Sequence, residues 1–304
     1  MNFNFKQLKL TLSALITTLI ILVYSCAGRA DNMLWLVENK SGAKLYLLGS
    51  LHMAKPDLYP LSSTIEEAFS QSSQLVVEVD VSDTEQITKM ALSFMGDNGL
   101  FSNPNGAELW SVLDSQTAQS LKEALSKANL PQEFFAKMRP WAVAFNLETL
   151  VLLTSGYDIE LGIDHHFLKA AKQKGLKINQ LESFDEQLNV FANLSDEQSI
   201  DFLKSVLAEI DNFEPEMTKL IQYWRDGDEK SFELAYFNIY DKHPQLKPIL
   251  DKLIIERNRT MSERLLPFFN SPKPSFAVIG CAHLVGPEGL PALFKQKGYI
   301  ITKY

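Results

Sequence analysis

Hydrophobic residues along the chain follow two patterns: short apolar runs closed by turn residues, and longer stretches with helical spacing between them. Past residue 30 the first short runs are 34–38 and 44–48, separated by the turn-forming Asn39-Lys40-Ser41-Gly42, and both predict strands. Gly49-Ser50-Leu51-His52 follows the second run directly. Ser63-Thr64-Ile65-Glu66 has capping-box spacing and predicts a helix to about Gln71. The β-branched run 74–81 then predicts a buried strand with Glu78 inside it or at its end.

From 84 to about 154 the spacing is mainly helical, interrupted by the Gly/Asn/Pro-rich 96–106. Another helix runs from about Gly162, with Ile163, Phe167, Ala170 and Ala171 on one face, and stops at Gly175. The run 177–181 predicts a strand ending in Glu182. Two capping boxes, Ser183 to Glu186 and Ser195 to Gln198, open a helical stretch to about Phe269, with breaks near Pro215, Gly227 and Pro244. The end returns to strand at 276–279, helix at 288–297 and strand at 299–302. First and last strands thus belong to one sheet. The expectation is a single α/β domain over 31–304, with a central mixed, mainly parallel sheet, flanking helices and large helical insertions.

The first thirty residues follow another logic. Lys6 and Lys9 precede a charge-free apolar or hydroxylic run from residue 10 to 24, and the small residues Ser25-Cys26-Ala27-Gly28-Arg29-Ala30 follow. That is the layout of a secretory signal, with an apolar run shorter than the ~20 residues that span a bilayer. Residues 1–30 are therefore read as a signal peptide, with an uncleaved anchor as the alternative. Val23-Tyr24-Ser25-Cys26 also resembles a bacterial lipobox, in which Cys26 would carry a lipid. The expected location is the periplasm, or the envelope as a lipoprotein. With cleavage before Asp31 only Cys281 remains, so no intramolecular disulfide is expected.

The net charge of −8 and the absence of any Lys/Arg run argue against nucleic-acid binding. Phosphate-binding, dinucleotide-binding, zinc-helix and nucleophile-elbow motifs are all absent. What stands out is a short repeat in a chain with only five histidines: apolar strand, Gly49-x-x-His52, and apolar strand, Gly280-x-x-His283. A glycine at the strand end permits a sharp exit and close backbone approach, and ligands bind at the carboxyl edge of open α/β sheets. Glu78 and Glu182 occupy similar strand-end positions. If these strands are parallel, His52, Glu78, Glu182 and His283 converge on one edge. Two imidazoles with one or two carboxylates suit Zn, Mn or Fe with positions left open for water. His165 and His166 point about 100° apart on a helix and are read as surface or boundary residues, His243 as a loop residue, and Cys281 as a small buried residue.

These residues resemble the TraB/GumN family, related to PrgY and the animal Tiki proteins. The resemblance runs through Leu34-Trp35-Leu36-Val37, Leu45-Tyr46-Leu47-Leu48-Gly49-Ser50-Leu51-His52 and Val77-Glu78-Val79-Asp80. It continues through Arg139-Pro140-Trp141, Gly162-Ile163-Asp164, Leu181-Glu182-Ser183-Phe184-Asp185-Glu186-Gln187 and Trp224-Arg225-Asp226-Gly227-Asp228. Glu256-Arg257-Asn258 and Gly280-x-x-His283-Leu284-Val285-Gly286 complete it. It implies a fold like the erythromycin-esterase and ChaN group and a hydrolase dependent on a divalent metal (Mn, Zn, Co or Fe), with peptide or protein as substrate. Carried over from the resemblance, His52, His283 and Glu78 would be metal ligands or catalytic groups, and Arg257 and Asn258 match the family's Arg-Asn pair. The leading expectation is that His52 and His283 hold the metal with Glu78 or Glu182, that the remaining carboxylate acts as general base, and that Arg257 stabilises an oxyanion while Asn258 orients it. The alternative is a haem- or metal-binding envelope protein without turnover.

Overall fold

The computed structural model describes residues 32–85, 88 and 99–304. The leader 1–30, with Cys26, and part of the stretch 84–154 therefore lie outside the described residues. Asn32–Tyr304 forms one compact unit.

Its centre is a six-stranded sheet in the order β4-β3-β5-β2-β1-β6. The strands are β1 (Leu34–Glu38), β2 (Lys44–Ser50), β3 (Gln74–Val77), β4 (Lys177–Gln180), β5 (Ser275–Gly280) and β6 (Ile300–Lys303). β2, β5, β3 and β4 run parallel, while β1 is antiparallel to both β2 and β6. The β1–β2 hairpin closes because Asn39 Oδ1 accepts from the Ser41 and Ala43 amides at 3.0 and 2.9 Å. β2 and β5 lie in the middle of the sheet, and β5 is buried along its whole length, as its unbroken apolar run requires.

Two boundaries differ from the sequence expectation. β3 stops at Val77 rather than Val81, because the chain turns there: Val81 N–H donates to the Val79 carbonyl at 3.0 Å, and Ser82 N–H to Asp80 Oδ1 at 2.9 Å. The first helix, α1 (Ser63–Gln71), is capped by Ser62, whose hydroxyl accepts from Ile65 N–H; Ser63 is already helical, so no capping box forms.

The remaining principal helices are α2 (Ser115–Lys127), α3 (Pro140–Thr154), α4 (Ile163–Lys174), α5 (Phe184–Ala192) and α6 (Asp196–Glu209). After them come α7 (Phe213–Arg225), α8 (Glu229–Lys242), α9 (Arg257–Arg264) and α10 (Leu290–Gln296). α4 ends on Gly175 in the left-handed region, as its position after the apolar face foretold. Both downstream capping boxes are present, on Ser183 and Ser195. Pro215 sits in the first turn of α7, so the break falls just before it rather than at it.

Beside the sheet, Phe69 of α1, Phe167 of α4 and Phe276 of β5 meet with ring centroids 4.9 to 5.4 Å apart. The helical insertions bury two cores of their own, one around Leu121, Leu125, Val143 and Leu203, the other around Trp141, Leu194 and Ile249. Trp35, Trp141 and Trp224 are buried, and Cys281 is buried and free. No helix among the described residues is long and apolar enough to cross a membrane.

Candidate functional site

Parallel strands bring their carboxyl ends to one edge, and four of the sequence-predicted residues arrive there. β2 ends at Ser50, two residues before His52, and β5 at Gly280, three before His283. Ser50 pairs with Gly280 across the β2–β5 register, so both histidines leave the sheet side by side. Glu78 follows β3 and Glu182 follows β4 by two residues. The Glu182 amide donates to the Glu78 carbonyl at 2.9 Å, which locks the two strand ends together.

What stands against the two motif glycines leaves little room for a side chain. A Cβ on Gly49 would lie 2.8 Å from Cys281 Sγ. A Cβ on Gly280 would lie 3.1 Å from Glu78 Oε1, 3.3 Å from His52 Nε2 and 3.5 Å from His283 Cδ2. Three of the sequence-predicted side chains therefore surround the empty face of Gly280.

Each imidazole is held through its Nδ1. His52 Nδ1 lies 2.8 Å from Asp164 Oδ2, which also accepts from the Ser50 hydroxyl. Asp164 comes from the first turn of α4, docked by Ile163 N–H onto the Leu51 carbonyl at 3.0 Å. His283 Nδ1 lies 2.6 Å from Asn258 Oδ1, and Asn258 Nδ2 in turn donates to the Glu288 carbonyl at 2.7 Å. That donation orients the amide, so His283 must carry its proton on Nδ1. An acceptor at Nδ1 leaves the Nε2 lone pair of a neutral imidazole free.

The carboxylates are gathered by Arg257. Its Nη2 reaches Glu78 Oε2 at 2.5 Å and Glu182 Oε2 at 2.7 Å, its Nε reaches Glu182 at 3.1 Å, and its Nη1 takes the Leu253 carbonyl at 3.0 Å. Gln187 Nε2 bridges the same two carboxylates at 3.1 and 3.2 Å. Gly280 N–H donates to Glu78 Oε1 at 2.6 Å. A π-helical turn over Asp251–Glu256 precedes Arg257, whose amide bonds back to the Ile254 carbonyl. Such turns reset the helical phase, and here the consecutive residues Arg257 and Asn258 reach the carboxylates and His283 respectively. Asn258 thus orients an imidazole, not Arg257 or an oxyanion.

The electrostatics follow from these contacts. Burial alone would push the Glu78 carboxyl up; the pull of His283, Arg257, His52 and the Gly280 amide outweighs it and holds the group at about 2. His283 is 4% exposed, and burial lowers it to about 4, so it is neutral at physiological pH. The Asp164 carboxylate raises His52 to about 9, although the ring's open face leaves part of that pull to solvent screening. Glu78, Glu182 and Asp164 against one guanidinium leave the surroundings anionic.

The donor chemistry suits a divalent cation: two Nε2 positions, each backed by an oxygen acceptor at Nδ1, beside an ionised carboxylate in an anionic setting. His283 Nε2 stands 4.0 Å from Glu78 Oε2, and among the described residues no three ligating side chains are drawn together at coordinating spacing. Sequence reasoning did not single out Asp164, Ser50 or Gln187 as site residues. Asp164, two residues after Gly162 at a helix start, offered the clearest signal. His165 and His166 lie at the boundary, beside Glu160 and Glu66, and His243 caps the end of α8.

The model of the TraB/PrgY/gumN family matches residues 33–303. The chain is 22% identical over 250 residues to Uncharacterized protein YbaP of Escherichia coli (strain K12), covering 82% of this chain and 87% of that relative. The Shigella flexneri protein of the same description matches equally. No solved structure matches. The order of motifs along the chain, their meeting at one sheet edge and the match over almost the whole compact unit agree: this chain belongs to the TraB/PrgY/gumN family.

Proposed function

We propose that this chain is an exported metal-dependent hydrolase acting on peptide bonds, with His52 Nε2, His283 Nε2 and Glu78 as the metal-holding groups. The observation that carries this reading is the pair of imidazoles fixed through Nδ1, one by Asp164 and one by Asn258, around the same glycine. A bound Mn, Zn, Co or Fe ion would supply Lewis-acid chemistry at that point. Asn258 keeps the His283 lone pair on Nε2, and burial keeps that ring neutral. His52 must release its proton to ligate, so affinity rises with pH.

Arg257 keeps Glu78 ionised and holds Glu182 beside it. Of its five N–H groups, four are committed to Glu78, Glu182 and Leu253, which leaves one for a developing oxyanion. Glu182 is the carboxylate not assigned to the ion and serves as the proton acceptor.

The test is metal content by mass spectrometry of protein purified without chelator, beside the His52→Ala/His283→Ala double variant, followed by hydrolysis of a peptide library. Near-stoichiometric metal in wild type alone supports the reading. Failure of both to bind after reloading refutes it, and a Soret band on haem titration, lost in the double variant, would make the protein a haem carrier. Export is tested by intact mass of the processed protein: a start at Asp31 fits signal cleavage, and a lipid-bearing Cys26 fits a lipoprotein.

A further inference from the structure

The ion-pair cluster makes no use of the run Trp224-Arg225-Asp226-Gly227-Asp228, which joins α7 to α8. Gly227 takes the left-handed conformation of the turn, with φ at 63°. Asp228 Oδ1 caps α8 by accepting from the Ser231 amide at 3.0 Å. Trp224, on the last turn of α7, is 5% exposed, and its Nε1 donates to the Gly49 carbonyl at 2.7 Å. An indole is a donor only, with a single N–H. Here that N–H goes to the carbonyl three residues before His52.

Gly49 is where the two Gly-x-x-His motifs touch. Its own N–H donates to the Met33 carbonyl at 2.8 Å, just before β1. On its bare side stands the buried Cys281, so close that a Cβ would fall 2.8 Å from Sγ. Cys281 follows Gly280 directly and precedes His283 by two residues. In a close-packed interior a shift of Gly49 presses on Cys281 and changes the spacing of the His52 and His283 rings. α7 also grips the chain beyond His52. Glu214 Oε1, in its first turn, accepts from Lys55 Nζ at 3.0 Å, and Arg225 Nη2, at its end, pairs with Asp57 Oδ2 at 2.9 Å. Those two pairs are partly exposed and individually weak. The indole bond is buried, where losing a partner costs most.

We propose that Trp224 is a positioning residue of the sheet-edge site: by holding the Gly49 carbonyl, its indole N–H sets the separation of the His52 and His283 rings. For a bound metal ion this rests on the hydrolase reading; for the two turns themselves it does not.

The test is hydrogen exchange of the full-length protein, followed by NMR without added metal. In wild type the Trp224 indole proton should be protected at least as strongly as the Gly49, Ala54 and Ile163 amides, which close the same turn onto Met33, Asp158 and Leu51. An indole proton protected less than all three shows that the turn holds without it and overturns the proposal, with no variant needed. Trp224→Phe keeps a ring in the core and removes the N–H. It should speed exchange at those three amides at least about tenfold, the scale of one net hydrogen bond. The Leu181 and Glu182 amides, bonded to Val77 and Glu78 at the ends of β3 and β4, should keep their protection. Ile221→Val, buried on the same helix, loosens packing without touching the bond and should spare all five. No acceleration at the three amides overturns the proposal, as does equal acceleration at all five or an equal effect of Ile221→Val. Where wild type binds Mn or Zn, Trp224→Phe should weaken binding at least about tenfold, and undiminished affinity also overturns it. Absence of metal binding in wild type counts against the hydrolase reading and leaves the exchange result to decide this one.

Discussion

Replacing Arg257 by methionine removes one cation from between two buried carboxylates. The side chains of Glu78, Glu182 and Arg257 are 7%, 5% and 15% exposed, so water cannot take the place of the guanidinium. Breaking a buried pair by removing one partner costs about 3–5 kcal/mol, and here both acids lose their partner at once. The pH dependence carries a second signature. Glu78 falls from 4.5 to about 2 in the folded protein, which corresponds to at most about 3 kcal/mol. Because the folded value is the lower one, that stability is present above pH 4.5 and is lost as pH falls toward 2. His283, lowered from 6.5 to about 4, acts with the same sign between those values. Urea unfolding of wild type and Arg257→Met, followed by far-UV circular dichroism from pH 2 to 8, measures both effects. The variant should lose about 3–5 kcal/mol at pH 7, and its further loss on acidification below pH 4.5 should be smaller than in wild type and end at higher pH, because Glu78 has lost one source of its depression. Adding Glu78→Gln and Glu182→Gln should recover much of the loss, since a buried ion pair replaced as a whole is often neutral. A loss below about 1 kcal/mol, the range of an exposed pair, together with an unchanged acid limb, would refute the account of Arg257 as the clamp of this site.

Asp164→Asn should bring the His52 titration, read by NMR of its ring protons, down from about 9 toward or below 6.5; an unmoved titration would show that Asp164 does not set it. Asn258→Leu removes the acceptor at His283 Nδ1, and metal affinity measured by competition should fall roughly 10–100-fold, the usual cost of losing such a partner; undiminished affinity would separate Asn258 from the site. Gly280→Ala places a methyl 3.1 Å from Glu78 Oε1 and 3.3 Å from His52 Nε2, so it should abolish metal binding while costing about 1–3 kcal/mol of stability; full metal binding in a folded variant would show that these side chains do not converge there.

The sequence by itself determined much of this protein. Strand runs, downstream capping boxes and the Gly175 stop are local patterns, set by side-chain period and by backbone groups that need partners within a few residues. The repeated Gly-x-x-His behind two apolar runs was legible for the same reason, and the family resemblance followed from the motifs in order. Boundaries that depend on competition between neighbours were less legible: Ser62 rather than Ser63 caps α1, and β3 ends at Val77 because Asp80 and Val79 close a turn there. What only the tertiary structure decided is which residues attend the histidines and carboxylates. Asp164 lies 112 residues from His52 along the chain, and Arg257 lies 75 residues from Glu182 and 179 from Glu78. No local period encodes such distances. They are fixed by the parallel register of β2, β5, β3 and β4 and by the helices that dock on their ends.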